Sequence, residues 1–419
     1  MGYTGAASFN GNPGVPRVRV LYSFPHKLGA DRICYTAWHQ VNGLAAAGAE
    51  VLAFPGVLHR AVPANVTVRP TLAWRKLRIP YKVLGKMRAL ALHDHIVAHR
   101  IQKLAGEIDI IHAWPDAALE TVKAAKKLGI PTVLERPNAH TRFAFEAVGK
   151  EFQRLGVVLP PEDEYYFRQD LLDKEEEEYR QADYILCPSD FVVKTFTDQG
   201  LPRHKLVRHG YGFDENIYYP TYTPRKKRRG LTMLFVGVCA VRKGVHFALE
   251  AWLKSPASRD GTFLIAGDFL PAYKERFSDW LSHPSVKVLG HRNDVPELMR
   301  QSDILILPSI EEGFGLVVAE GMGSGCVPLA SNACTDICQH MQTGLTHKVG
   351  DVEELTQQLT LLCNSPDLLE RLRVASLAAS RQFTWVACGK RLLEVYREVI
   401  NMHSEERFGT AHATQEGRF

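Results

Sequence analysis

Short apolar runs alternate along this chain with longer stretches in which apolar and polar positions recur at helical spacing. The first run, Val18 to Tyr22, predicts a strand. A Gly-containing turn follows at Lys27 to Ala30, then a helix from about Tyr35 to Ala47 that Gly48 stops. The alternation continues with strands at Glu50 to Phe54, Ile108 to Ala113, Pro131 to Leu134 and Tyr184 to Cys187, and a helix at Ala117 to Leu128 ended by Gly129. A second series has strands at Thr232 to Val236, Thr262 to Ala266, Val286 to Leu289, Ile304 to Leu307 and Val327 to Ala330, with helices between. Strands alternating with helices imply parallel sheets wound by crossovers, so the expected class is α/β with two doubly wound, Rossmann-like domains.

The boundaries follow from composition. Residues 1–16 read as a flexible N-terminus, 17–219 as the first domain and 231–395 as the second. The polar and basic stretch 220–230, with its run Arg225 to Arg229, separates them as a solvated linker rather than a nucleic-acid site, since it is short and has no interleaved aromatics. Residues 396–419 are expected to form a terminal helix and a loose tail, and the acidic stretch Glu162 to Glu178 a helical excursion from the first domain. A length of 419 residues suits two or three domains at roughly 150 residues each.

Hydrophobic residues make up 45% and charged residues 23%, as in ordinary globular proteins. No apolar stretch reaches the roughly 20 residues of a membrane-spanning helix, and Met1 to Pro16 lacks the basic-then-apolar order of a signal peptide, so a cytoplasmic location is expected. The eight cysteines are scattered. Cys334 and Cys338 could share a helix face, but two further zinc ligands are missing nearby, and no metal site is expected.

The most informative stretch is SDILILPSIEEGFGLVVAEGMGSGCVPLAS, Ser302 to Ser331. An apolar strand ends at Pro308 and Ser309, and the turn Gly313-Phe314-Gly315 then opens a helix at Leu316. Such a turn presents backbone N–H groups and the positive end of a helix dipole, which suits a diphosphate. Glu312 precedes the turn and Glu320 follows it, so both carboxylates can face one ligand. A carboxylate can accept two hydrogen bonds from a vicinal diol such as that of a ribose.

The order strand, Pro-Ser, Glu-Gly-Phe-Gly, Glu, Gly-x-x-Pro resembles the donor-binding signature of the family-four retaining glycosyltransferases of GT-B fold, group 1. The resemblance implies that Glu320 holds the nucleotide ribose, that Glu312 contacts the donor sugar, and that the two domains face each other across a cleft. FVGVCAVRKGVHFALEAW, Phe235 to Trp252, is similar to the segment whose Lys neutralises the donor diphosphate, which makes Lys243 the candidate. FLIAGD at Phe263 to Asp268 and VKVLGHRNDVPELMRQSD at Val286 to Asp303 match the strands that follow, with His291 and Arg292 where the base is read. DIIHAW, CPSDFVVKTF and YGFDENIYYP fit the N-terminal unit, and FTWVACGKRLLEVY the C-terminal helix that crosses back to it.

Three departures stand out. The Arg that usually follows the Gly at Gly237 is Val238, so Arg242 is the candidate substitute. Asn332, Ala333 and Cys334 replace a Gly-Gly pair, with Asp336 for the usual Glu. The N-terminal Gly-Gly loop reads Gly29-Ala30, and the customary His after Pro131 to Leu134 has three candidates, Glu135, Asn138 and His140.

The implied activity is retaining, metal-independent transfer of a sugar from a UDP- or GDP-sugar to a hydroxyl of a saccharide or lipid-linked acceptor. No cofactor is implied. No Asp-x-Asp pair occurs to hold a catalytic metal, which leaves the leaving diphosphate to Lys243, Arg242 and backbone amides. Two other functions use the same fold: a GT-B phosphorylase or epimerase, and a catalytically silent carbohydrate-binding or scaffold protein, the latter kept open by Asn332 to Asp336.

The net charge of +5 is unevenly spread. Residues 1–130 hold seventeen Lys and Arg against seven Asp and Glu, and Val51 to His93 contains no acid at all. There Arg69, Arg75, Lys76, Arg78, Lys82, Lys86 and Arg88 are interleaved with apolar residues, a pattern that suits an anionic membrane surface on the cytoplasmic face as well as a solvated face. Pro80 and Gly85 interrupt any long helix.

Overall fold

A computed structural model describes residues 17–74, 77–78, 84–221 and 230–416, with 74, 77–78 and 407–416 described by backbone alone. The basic run Arg225 to Arg229, residues 1–16, and Arg75, Lys76 and Pro80 to Val83 lie outside the described residues. The chain divides into two compact units. One comprises the residues up to Glu135, Asp173–Leu186 and those from Cys388 on; the other comprises Arg136–Leu172 and Cys187–Ala387.

In the first unit the strands are β1 (Arg19–Leu28), β2 (Glu50–Leu58), β3 (Val66–Val68), a short antiparallel ribbon of β4 (Ala73–Trp74) and β5 (Leu77–Arg78), then β6 (Ile110–Ala113), β7 (Thr132–Glu135) and β8 (Tyr184–Cys187). The main sheet runs β3-β2-β1-β6-β7-β8, all parallel. β6, β7 and β8 are buried at every position, as a parallel sheet covered by helices on both faces requires. Helices Ile33–Ala46, Lys86–Leu104 and Leu119–Leu128 supply crossovers. Leu21, Phe54, Val97, Ile101, Ile111 and Ala125 form one of the cores.

In the second unit a short strand, β9 (Leu206–Arg208), precedes a six-stranded sheet of β10 (Thr232–Val236), β11 (Thr262–Ala266), β12 (Val286–Gly290), β13 (Ile304–Leu307), β14 (Val327–Ser331) and β15 (Leu345–His347). Its order is β12-β11-β10-β13-β14-β15, again all parallel. The chain leaves β10 toward β11 and β12 on one side and returns to β13 on the other. The crevice at the carboxyl ends of β10 and β13 is therefore the switch point, where open α/β sheets bind their ligands. Met233, Phe235, Trp252, Ile265, Ile304 and Leu329 anchor the core beneath it. The helix Trp385–Glu416 begins in the second unit, and from Cys388 onward it belongs to the first.

Candidate functional site

Two loops emerge side by side at the switch point of the second unit. After β10 the chain makes a single 3-10 turn, Val241–Lys243, and enters the helix Val245–Lys254 through Gly244. Gly244 has φ +64°, and a Cβ there would stand 2.1 Å from the Pro308 carbonyl oxygen at the end of β13. Only glycine lets the loops close to this distance. The Ile310 N–H donates to the Arg242 carbonyl at 2.8 Å and completes the join.

This join sets two cations against one carboxylate. The Lys243 ammonium donates to Glu312 Oε2, and Arg242 Nη1 lies 3.4 Å from the same oxygen. Burial alone would push the Glu312 carboxyl up, but Lys243 and Arg242 outweigh it and hold the group at about 2. Arg242 is itself clamped. Its Nη1 donates to the Glu311 carbonyl at 2.9 Å and lies 3.6 Å from the Glu311 carboxylate, and its guanidinium stacks over the Tyr165 ring at 5.4 Å. Glu311 is fully buried and accepts from the Ala139 N–H at 2.8 Å and the Tyr165 hydroxyl at 3.1 Å. A buried carboxylate needs donors of this kind.

The turn that follows is close-packed. A Cβ on Gly313 would stand 1.5 Å from the Pro137 carbonyl oxygen. Phe314 is buried edge-on to Tyr211, with ring centroids 5.6 Å apart. Gly315, at φ +71°, caps the helix Leu316–Gly323 with no side-chain hydrogen bond, so its first turn keeps the partial positive charge of a helix start. Glu320 lies one turn in, half-buried; burial pushes its carboxyl up to about 8, against the pull of a hydrogen bond from Tyr218.

The other predicted residues fall as follows. His291 and Arg292 are exposed after β12. The His291 N–H donates to Asp268 Oδ1 at 3.2 Å, and Arg292 pairs with Asp294 at 2.5 Å. They share the sheet's carboxyl edge with the turn after β10, since the Cys239 N–H bonds the Asp268 carbonyl. His140 is buried at the start of the helix Thr141–Leu155, where its Nδ1 accepts from the Arg142 N–H at 3.2 Å and its own N–H bonds Thr195 Oγ1 at 3.0 Å. These are the contacts of a capping residue. Asp336 receives Arg208 at 2.5 Å.

Gly29 belongs to the first unit, just after β1, with φ +88°. Glu135, in the same unit, ends β7 fully buried in a directed chain of hydrogen bonds. The Trp114 indole N–H can only donate, so Tyr22 Oη accepts it at 2.8 Å, Tyr22 donates to Gln40 at 2.5 Å, and Gln40 donates to Glu135 at 2.8 Å. From the other side His112 Nε2 lies 3.3 Å from Glu135, and its Nδ1 meets the Tyr396 hydroxyl at 2.6 Å.

Residues 230–365 match the family model described as Glycosyl transferases group 1. Over 391 residues the chain is 30% identical to a D-inositol 3-phosphate glycosyltransferase of Mycobacterium bovis, an alignment covering 84% of this chain and 72% of that protein. The chain belongs to the group 1 glycosyltransferases. It is also 31% identical over 241 residues to the N,N'-diacetylbacillosaminyl-diphospho-undecaprenol alpha-1,3-N-acetylgalactosaminyltransferase of Campylobacter jejuni, covering 53% of this chain and 62% of that one. Several relatives are matched over only about half to three-fifths of their length. Among solved structures, Anabaena HepE in complex with UDP aligns with a TM-score of 0.63 at 19% identity, over 91% of this chain and all of that one, a likeness of fold. The two parallel sheets of this glycosyltransferase are those of the GT-B class expected from its sequence.

Three residues around the site were not found by sequence reasoning: Glu311, Tyr165 and Tyr218. Glu311 stood beside the motif in plain view, as one half of a Glu-Glu pair. Tyr165 lay in a stretch read only for its acidity, and Tyr218 in a segment matched as a whole. Among the described residues no group of three or more His, Cys, Asp or Glu is placed to hold a metal ion.

Proposed function

We propose that this glycosyltransferase moves a sugar from a nucleoside-diphosphate sugar to an acceptor hydroxyl with retention of configuration and without a metal ion. The observation that carries the reading is the cluster of Arg242, Lys243 and Glu312 beside the Gly-Phe-Gly helix start, which has no side-chain cap, at the switch point of the second unit's sheet. The diphosphate would take Lys243 and Arg242 as counter-charges and the helix start as a source of N–H donors. Glu320 would accept the ribose hydroxyls, and Glu312, ionised, would meet the donor sugar. The bond from the anomeric carbon to the phosphate oxygen breaks with its electron pair leaving on the diphosphate. The acceptor oxygen bonds the same face of the oxocarbenium-like sugar, and its proton passes to the departing phosphate.

The acceptor is a saccharide or lipid-linked saccharide. A phosphorylated acceptor agrees with the basic first 130 residues and with the names of two relatives, one for D-inositol 3-phosphate and one for a diphospho-undecaprenol. UDP is the first nucleotide to try, because HepE was solved with it. The test is a panel of UDP- and GDP-sugars with EDTA present, following nucleotide release and the anomeric signal of the product by NMR. Retained configuration with EDTA-resistant turnover is expected. Inverted product, or activity that returns only with added Mn, overturns the corresponding part. Nucleotide binding with neither hydrolysis nor transfer would support the silent-scaffold alternative.

A further inference from the structure

The segment between Phe213 and Tyr218 is fastened along the helix Leu316–Gly323 at two points. A Cβ on Gly323 would stand 2.4 Å from Cε2 of Phe213, so that ring lies directly on the helix backbone. Three residues earlier, on the same helical face, Glu320 is the hydrogen-bond partner of the Tyr218 side chain. Tyr218 and Val317, the latter again on that face, both pack against the core cluster of Leu234, Leu305 and Met299. The backbone leading to it is folded on itself: the Ile217 and Tyr218 N–H groups both donate to the Asp214 carbonyl, at 3.0 and 2.9 Å. On the far side Arg300 stacks on the Tyr219 ring at 4.6 Å and donates to the Ile217 carbonyl at 3.3 Å. The phenol therefore reaches Glu320 from a ring held on several sides.

We propose that Tyr218 is a positioning residue for nucleotide binding, its hydroxyl donating to Glu320 so that the carboxylate presents its remaining lone pairs to the ribose diol. This rests on the reading of Glu320 as the ribose seat. The chemistry favours a phenol here. Once ionised, above about pH 8, the Glu320 carboxylate accepts only, and a phenolic O–H supplies one donor while leaving acceptor capacity for two ribose hydroxyls. An Arg or Lys in that place would compete with the ligand for the same lone pairs and add a charge. A Phe would leave the carboxylate less well solvated and free to turn. Burial opposes ionisation of Glu320, and the donated bond works against that opposition.

The experiment uses the full chain and two nucleotide pairs, UDP with 2',3'-dideoxy-UDP and GDP with 2',3'-dideoxy-GDP, measured by calorimetry. With whichever parent nucleotide binds, Tyr218→Phe should weaken it about five- to tenfold, the range for one hydrogen bond to a charged group. The dideoxy partner should bind wild type and Tyr218→Phe alike within twofold, because the lost bond acts only through the ribose hydroxyls. In turnover, the donor KM should rise with kcat unchanged. Equal binding of the parent nucleotide by wild type and Tyr218→Phe overturns the proposal, and so does equal weakening of parent and dideoxy forms, which is what a merely structural role would give. Glu320→Gln separates the two levels. If it binds the parent nucleotide as wild type does, or if neither nucleotide binds wild type, the ribose-seat reading itself fails. If Glu320→Gln loses the preference for the hydroxylated form and Tyr218→Phe keeps it, only the role of Tyr218 falls.

Discussion

Glu312 and Glu320 are the same residue type eight positions apart, yet their surroundings drive them in opposite directions. Glu312 meets burial together with Lys243 and Arg242 and stays ionised down to about pH 2, whereas Glu320 meets burial with only the Tyr218 hydrogen bond and is pushed up to about 8. A group whose folded-state value lies above its unfolded one, here 4.5, keeps a proton that the unfolded chain has released. The stability it contributes is complete below about pH 4.5 and is lost as pH rises through about 8. Glu320→Gln should therefore melt higher than wild type at pH 8.5 by several degrees, a shift of this size amounting to as much as about 4 kcal/mol, and equal to it at pH 4. Scanning calorimetry at the two pH values checks this, and a gap of the same size at both would refute the assignment. In turnover, Glu320→Gln should raise donor KM and Glu312→Gln should lower kcat; wild-type kinetics in both would remove them from the site. Lys243→Ala should reduce transfer by roughly a hundredfold or more, since a diphosphate leaving group then loses its main counter-charge. At this scale Glu312 and Glu320 were legible as candidates because they share one short motif, and Lys243 because the segment Phe235 to Trp252 resembles the family's own. The partners Tyr165 and Tyr218 approach from 146 and 102 positions away in sequence, and no local pattern carries that.

The strands were legible as elements because each is a short apolar run bounded by turn residues, and buried parallel strands permit little else. Thr232–Val236, Thr262–Ala266 and Ile304–Leu307 match the expected spans. β3, β9 and β15, three residues each, are too short to carry a pattern of their own and depend on pairing with a neighbour. The acidic stretch expected to be helical from Glu162 is helical only over Gln169–Gln181. Its earlier part, to Phe167, is turn and coil that carries Tyr165 to Glu311. At the level of elements the two glycine contacts make the sharpest prediction. Gly244→Ala and Gly313→Ala would each force backbone apart at Pro308 or Pro137, whereas Gly48→Ala, at φ +98° with nothing within 4 Å, meets only conformational strain. Urea unfolding should show a loss of at least about 2 kcal/mol for the first two and about 1 kcal/mol for the third. Three equal values would mean that the loops can separate freely.

For the molecule as a whole, the basic stretch of the first unit raises the question of a membrane surface. Among the described residues no helix is long and apolar enough to cross a membrane. Leu72 and Ala89 are buried with Val57, and Leu84 packs against them, while Met87 stands half exposed beside Lys86 and Arg88. Arg75 and Lys76 lie outside the described residues, and for Arg78 only the backbone is described. If this stretch meets an anionic surface, the protein should co-sediment with anionic but not neutral liposomes. Salt and the triple change of Arg75, Lys76 and Arg78 to Ser should each weaken that binding. Equal absence from both kinds of vesicle would assign the charges to solvent or to the acceptor.

By itself the sequence determined the parallel α/β class, the two repeated strand series and the identity of the charged residues in the second unit's loops. Each of these follows from patterns only a few residues long: hydrophobic period, glycine placement and motif spacing. Tertiary structure alone decided the rest. It closed β10's loop on β13's so that Arg242, Lys243 and Glu312 meet, and it brought Tyr165 under Arg242 and Tyr218 to Glu320. It also set Glu135 in a buried hydrogen-bond network and His140 at the start of a helix. The physical reason is that a carboxylate's ionisation and a side chain's role depend on desolvation and on neighbours within a few ångströms, which the chain supplies from positions far off in sequence.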